Sequence, residues 1–228
     1  SMRGLGVLFA VFVVVLGAAN AMAGGRHALV IGNGSYAQIG PLANPTNDGV
    51  AMAAMLESMG FTVSSHTNLD RAGMGRAVQQ FKRSMTQPDA VLFFFAGHGV
   101  QANGSNYLIP TDAVLQTEDD VPFEALRLDD IIEQLTLPRS TLLMFIDACR
   151  DPFKSRSLGG STRGLTMVST GSDAFIAFAT QPGNVAADGT GPNSPFTTAL
   201  LKHLPTKGEY FEILFRSVIS DVASSTGG

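Results

Sequence analysis

Ser140-Thr141-Leu142-Leu143-Met144-Phe145-Ile146-Asp147-Ala148-Cys149-Arg150 is the stretch whose reading decides the fold. From Leu142 to Ile146 it is apolar at every position. A half-exposed strand alternates apolar and polar residues, so an unbroken run reads as a strand buried on both faces, as in a parallel sheet. The run ends in the carboxylate of Asp147 and in Cys149, the only cysteine of the chain. Two residues apart on an extended strand, they point to the same side. Open α/β sheets bind their ligands at the carboxyl ends of such strands. The expected class is therefore α/β, with a mainly parallel central sheet between helical layers.

A second strand has the same design. Ala90-Val91-Leu92-Phe93-Phe94-Phe95-Ala96 is apolar throughout and is followed by Gly97-His98-Gly99. The glycines are expected to let the backbone turn and approach a substrate closely. His98 thus also falls at a strand's carboxyl end, 51 positions before Cys149. Neighbouring parallel strands joined by a crossover would set imidazole and thiol side by side. A thiol near pH 7 is only a few per cent thiolate (roughly), and an adjacent imidazole is a usual means of activating it.

On these residues the chain resembles the caspase-like cysteine peptidases, in particular their bacterial metacaspase or orthocaspase branch. The caspase signature has Gln-Ala-Cys followed by Arg, Gln or Gly, with a histidine about 50 residues upstream. Here it stands as Asp147-Ala148-Cys149-Arg150, with His98 in Phe-Ala-Gly-His-Gly. The likeness extends to Ala28-Leu29-Val30-Ile31-Gly32-Asn33, Asn47-Asp48-Gly49 and Ser194-Pro195-Phe196-Thr197, and covers residues 26–225. It implies a three-layer α/β/α caspase-like fold. A p20-like part would run to about residue 155 and a p10-like part would start near residue 172.

The resemblance assigns roles residue by residue. Cys149 is the nucleophile and His98 the general base and acid. Gly99 and Cys149 supply oxyanion-hole N–H groups. Asp48 and Asp147 line a pocket for a basic P1 side chain, and Asp151 is a further candidate. Asp147 stands where Arg/Lys-specific relatives carry Asp in place of Gln. A buried carboxylate is costly unless a cation pairs with it, and a P1 guanidinium does so in bidentate fashion. The chain departs from many metacaspases at Ala96, where a serine would reach the P1 side chain. Each role has a plainer competitor. Cys149 can be a small buried hydrophobe, His98 a loop residue capping a carbonyl, and Asp48 a helix N-terminal acid stabilised by backbone amides.

Composition fits one domain of ordinary size. The 228 residues are 45% hydrophobic, enough for a sizeable core. A formal net charge of −4, with no Lys/Arg cluster, argues against a nucleic-acid partner. A lone cysteine allows no internal disulfide. Met2–Ala23 reads as an export signal: Arg3, an apolar stretch from Leu5 to Leu16, and Ala21-Met22-Ala23 before the cut. The apolar run is short for a spanning anchor. The expected location is periplasmic or secreted, with no membrane contact after cleavage. Ser1 ahead of Met2 reads as an added residue, and the ending at Ser225-Thr226-Gly227-Gly228 suggests that a further strand follows in the natural protein.

The remaining elements follow from periodicity and breakers. Strands are expected at 27–32, 61–65 and 174–180, and the segment after His98 runs into Tyr107-Leu108-Ile109-Pro110. Helices are expected at 47–59 with Val50 on the apolar face, at 70–86 capped by Asp70, at 127–137, at 194–204 and at 209–222. Residues 101–106 read as a polar loop, and 151–172, rich in Gly and Ser, as a long structureless one. The latter holds Arg156 and Arg163, where an Arg-specific peptidase can cut itself. Gly32-Asn33-Gly34 lacks the third glycine of a phosphate loop and reads as a turn.

No cofactor is expected. Some metacaspases need calcium, and Asp129, Asp130 and Asp112 match part of such a cluster, but calcium takes six to eight oxygens (about) and a solvated helix start fits them better. The function expected is a cysteine endopeptidase acting on proteins or peptides with Arg or Lys at P1, as monomer or homodimer. The alternative is a caspase-like scaffold without catalysis.

Overall fold

The computed structural model describes residues 25–149, 167–170, 174–179 and 191–226. The export-signal reading and Arg150, Asp151, Arg156 and Arg163 lie outside these residues. The strands are β1 (Arg26–Gly32), β2 (Thr62–Thr67), β3 (Ala90–Ala102), β4 (Ser105–Leu108), β5 (Leu126–Arg127), β6 (Thr141–Cys149), β7 (Met167–Thr170) and β8 (Ala174–Phe178). The helices are α1 (Pro45–Ser58), α2 (Arg71–Ser84), α3 (Val121–Glu124), α4 (Leu128–Leu135), α5 (Pro195–His203) and α6 (Phe211–Thr226).

The sheet runs β2-β1-β3-β6-β8-β7, parallel except for β7, which lies antiparallel to β8. The two strands read as buried on both faces, β3 and β6, are its centre. On one face Leu29, Ile31, Phe93, Phe95, Met144 and Ile146 pack against Met74, Val78 and Phe81 of α2 and Ile131 and Leu135 of α4. On the other, Val30, Leu92, Phe94 and Phe145 meet Met52 and Leu56 of α1, Phe196 and Leu200 of α5, and Phe215 of α6. Odd and even residues of one strand thus serve two different cores, which is why no polar residue interrupts the run. Phe145 stacks on Phe215 at 6.1 Å between ring centres and meets Phe175 and Phe196 edge-on at 6.4 Å. Burial of such a ring is worth about 2 to 3 kcal/mol.

α1 lies flush on β1 because two glycines face each other. A Cβ on Gly32 would strike the Pro45 carbonyl, and one on Gly49 would come within 3.3 Å of the Gly32 backbone. Asp48, next to Gly49, is carried by this contact to the carboxyl end of the sheet.

Four expectations need correction. β3 does not turn at Gly97–Gly99; it continues to Ala102 and pairs with β4 across a hairpin. Residues 101–106 are therefore hairpin rather than loop. The turn is Asn103-Gly104, both at positive φ (49° and 78°), the pattern a two-residue hairpin turn demands. The stretch 151–172 contains strand β7. Val50 is 59% exposed, because α1 turns it away from the core that holds Met52 and Met55.

Candidate active site

The register of β3 and β6 builds the site. Ala96 pairs with Asp147, Gly97 with Ala148, and His98 with Cys149. β1 ends level with them, Gly32 beside Ala96. A histidine and the lone cysteine therefore occupy facing positions on adjacent strands at one rim.

The loop from Asn33 to Leu42 holds His98. The Nε2 of His98 lies 3.1 Å from the carbonyl oxygen of Gly40. A carbonyl only accepts, so that nitrogen carries a proton, and in the neutral ring Nδ1 is the basic one. The His98 N–H donates to the Tyr36 hydroxyl at 2.8 Å, and that hydroxyl donates to the Ile109 carbonyl at 3.1 Å. The Tyr36 and His98 rings meet edge-on, 4.6 Å between centres. Gly97 is needed here: at φ 157° a Cβ would strike the Tyr36 hydroxyl and lie 2.9 Å from Phe95 Cζ.

Asparagines fix the loop itself. The Asn33 side chain exchanges bonds with the Leu69 backbone at 2.9 and 3.2 Å. Asn68 Oδ1 accepts from the Gly34 and Ser35 N–H groups at 2.9 and 3.0 Å. The Gly-Asn-Gly segment is thus a pinned turn.

Gly99 pairs with Leu108 across the hairpin. Ile109 N–H donates to the His98 carbonyl at 3.0 Å. That bond makes Gly99–Leu108 a non-hydrogen-bonded pair, with the Gly99 N–H directed away from β4. The Gly99 N–H therefore faces β6 and the His98–Cys149 pair.

The acids cluster on the other side. Asp48 is only 2% exposed. Its Oδ1 accepts from Asn193 Nδ2 at 2.9 Å and from Ser194 N–H at 3.0 Å. Asp147 Oδ2 accepts from the Thr197 hydroxyl at 2.7 Å and, by a very short bond, from the Ser194 hydroxyl. The same Ser194 oxygen caps α5 by accepting from Thr197 N–H at 2.9 Å. Ser194 thus joins both carboxylates to the start of one helix. Burial pushes the Asp147 carboxyl above its usual value, and the Ser194 and Thr197 hydroxyls, with the Thr197 N–H, pull it part of the way back. Both hydroxyls sit on Oδ2, so neither occupies Oδ1. Ala96 is fully buried beside Asp147 in register.

The sequence reading placed Ser194 as a helix start and missed its bonds to both acids. It also missed Tyr36, Gly40, Asn193 and Thr197. The Ser-Pro-Phe-Thr motif was the available signal for Ser194 and Thr197; for Gly40, whose part is played by a carbonyl, none existed. Asp129 and Asp130 pair with Arg127 at 3.0 and 3.8 Å. Among the described residues no group of three or more His, Cys, Asp or Glu side chains is placed to hold a metal. No helix among them is long and apolar enough to cross a membrane.

Similarity to known proteins agrees with this arrangement. Caspase-1 from Spodoptera frugiperda superposes with a TM-score of 0.67 at 20% identity, covering 88% of this chain and 77% of that one. The Drosophila initiator caspase Dronc gives 0.62 at 12% identity, over 88% of this chain and 75% of that one. These are likenesses of fold. The human mucosa-associated lymphoid tissue lymphoma translocation protein 1 is 31% identical over 86 residues, 38% of this chain. Its mouse homolog is 33% identical over 86 residues. The matched stretch spans only 10% of the length of each of these two relatives. The family model for the caspase domain matches residues 25–228. The chain therefore belongs to the caspase-domain family.

Proposed function

We propose that this chain is a metacaspase-type cysteine endopeptidase that cuts after Arg or Lys. The observation that carries the reading is the register pairing of His98 with Cys149 at the carboxyl rim. In the proposed reaction the Cys149 thiolate attacks the scissile carbonyl carbon, and the carbonyl oxygen becomes an oxyanion. The N–H groups of Gly99 and Cys149 receive that charge; one such donor is worth about 3 kcal/mol in other proteases. His98, having taken the thiol proton on Nδ1, gives it to the leaving amine as the C–N bond breaks. Water then attacks the thioester, His98 takes its proton, and the acid product leaves with the thiolate restored. The bond from Nε2 to the Gly40 carbonyl keeps Nδ1 as the working nitrogen throughout.

Basic specificity is supported by Asp48 and Asp147, both tied to Ser194, and by Oδ1 of Asp147, which neither hydroxyl occupies. That oxygen suits a guanidinium or ammonium, which replaces the lost water and holds the acid ionised. Self-cleavage at Arg156 or Arg163 and export of the chain belong to the same proposal. No cofactor is assigned, and no nucleic-acid or membrane partner.

The test compares fluorogenic Arg, Lys and Asp peptides on wild type, Cys149→Ala and His98→Ala. Hydrolysis of the basic peptides alone, lost in both variants by about 10³-fold or more, is expected. Equal rates in Cys149→Ala would remove the peptidase reading. On a gel the active protein should show two fragments and Cys149→Ala one.

A further inference from the structure

Tyr36 has more to do than fill space. Its ring belongs to a small core with Val100, Tyr107, Ile109 and Val121, and packing alone accounts for the ring. Packing does not account for where the hydroxyl goes. Ile109 N–H donates directly to the His98 carbonyl, and the next pair, Gly99–Leu108, is non-hydrogen-bonded. In a regular antiparallel ladder His98 and Ile109 would then exchange both bonds directly. Only one of the two is direct. The other runs from His98 N–H to the Tyr36 oxygen and from the Tyr36 O–H to the Ile109 carbonyl, at 2.8 and 3.1 Å. A hydroxyl is thus wedged into the last rung of the β3–β4 ladder, at the residue whose side chain is the proposed base.

The surroundings are built around that wedge. Gly97 has no Cβ where the hydroxyl sits, and the Tyr36 ring meets the imidazole edge-on. The loop that carries Tyr36 also carries Gly40, which binds Nε2. One loop therefore sets both the backbone and the ring of His98.

We propose that Tyr36 is a positioning residue: its hydroxyl holds the final β3–β4 rung open so that the His98 imidazole keeps its bond to Gly40 and turns Nδ1 toward Cys149. The proposal rests on His98 being the base. It predicts that without the hydroxyl the rung closes, with His98 N–H reaching the Ile109 carbonyl directly and the ring drawn off Gly40.

Tyr36→Phe tests this, since it keeps the ring and removes one oxygen. A displacement of about 1 Å at a catalytic group can cost on the order of 100-fold. The expected result is a fall in kcat of about 10- to 100-fold with KM for an Arg peptide within about twofold. In parallel, the pH profile of Cys149 alkylation by iodoacetamide should move toward that of His98→Ala. In a Cys149→Ala background, histidine ¹⁵N spectra should show the proton fixed on Nε2 when Tyr36 is present and shared between both nitrogens in Tyr36→Phe. Unchanged kcat and alkylation profile would overturn the proposal, as would a rate loss matched by an equal loss of folded protein. If His98→Ala hydrolyses peptides normally, the base assignment itself fails. The ¹⁵N spectra read the wedge in either case.

Discussion

The two sides of the rim hold their key groups by opposite means. His98 is held by two groups of one loop, a tyrosine hydroxyl and a backbone carbonyl, and its own neighbour in β3, Gly97, leaves room for the hydroxyl. The acids are fixed by a corner far away in the chain, Asn193 to Thr197, which reaches back 145 positions to Asp48. The partners of His98 set the geometry of its ring. The acid side concentrates two carboxylates around one serine, so its energy depends on their ionisation and on what cation arrives. The base side is built for position and the acid side for charge.

Asp147→Asn should break this contrast most. The amide keeps an oxygen for Ser194 and Thr197 but loses the charge. Removing one partner of a desolvated charge pair costs about 2 to 5 kcal/mol, so kcat/KM for Arg peptides should fall roughly 30- to 3000-fold. A peptide with neutral P1 should be far less affected, since the base side is untouched. Equal losses on both peptides would mean that Asp147 supports the fold and not the pocket.

The raised pKa of Asp147 gives the same idea a pH signature. In the proposed pocket a P1 cation pairs with the ionised form, so selectivity for Arg over Gln at P1 should rise with pH through the raised value. Taking the ratio of two substrates removes titrations of the dyad that both share. Stability runs the other way. The native state keeps this proton to higher pH than the unfolded chain, whose value is near 3.9 (about). The associated stabilisation is full below the unfolded value and is lost as pH rises through the folded one. Asp147→Asn escapes the loss, so its Tm should exceed that of wild type at pH 7, the gap narrowing toward pH 4. A wild-type Tm advantage at pH 7 would refute the burial argument.

Ser194→Ala should act more gently, because it leaves both charges in place. It removes an N-cap, worth about 1 kcal/mol, together with a donor to Asp147. With that donor gone, the Asp147 value should climb further, moving the selectivity ratio to higher pH. Ser194→Thr, which restores a hydroxyl, should return both the ratio and the Tm.

How much of this was legible in the chain follows from where each bond is made. β3 and β6 announced themselves, because a strand buried on both faces has to be apolar at every position. Asp70 and Ser194 were legible as caps for a similar reason: the donor they satisfy, at Gly73 and Thr197, lies three residues on. The continuation of β3 past His98 was hidden, since glycine suggests a turn and the hydroxyl that fills its space comes from a residue 62 positions away. The hairpin beyond it did carry a sign, Asn103-Gly104, which is a strong short-range turn signal. β7 could not be read, because a short edge strand set in a Gly- and Ser-rich stretch has neither length nor pattern to mark it. The tie between Asp48 and Asp147 was likewise invisible: it exists only because α1 and α5 meet the rim from two distant parts of the chain.

The smallest effect is expected where charge is plentiful and position does not matter. Asp129 and Asp130 open α4 with their carboxylates about half exposed or more and turned to Arg127. Exposed pairs of this kind contribute about 0 to 1 kcal/mol. A calcium ion there would have to displace the guanidinium and still find most of its six to eight oxygens (about) in solvent. The double substitution Asp129→Asn, Asp130→Asn should therefore leave peptide hydrolysis within about twofold of wild type, and lower Tm by no more than about 2 to 4 °C. Adding millimolar calcium should change both proteins alike. A calcium activation that the two substitutions abolish would move the charge-sensitive part of the molecule from the Ser194 corner to α4, and the division between a rim side built for position and one built for charge would no longer describe the protein.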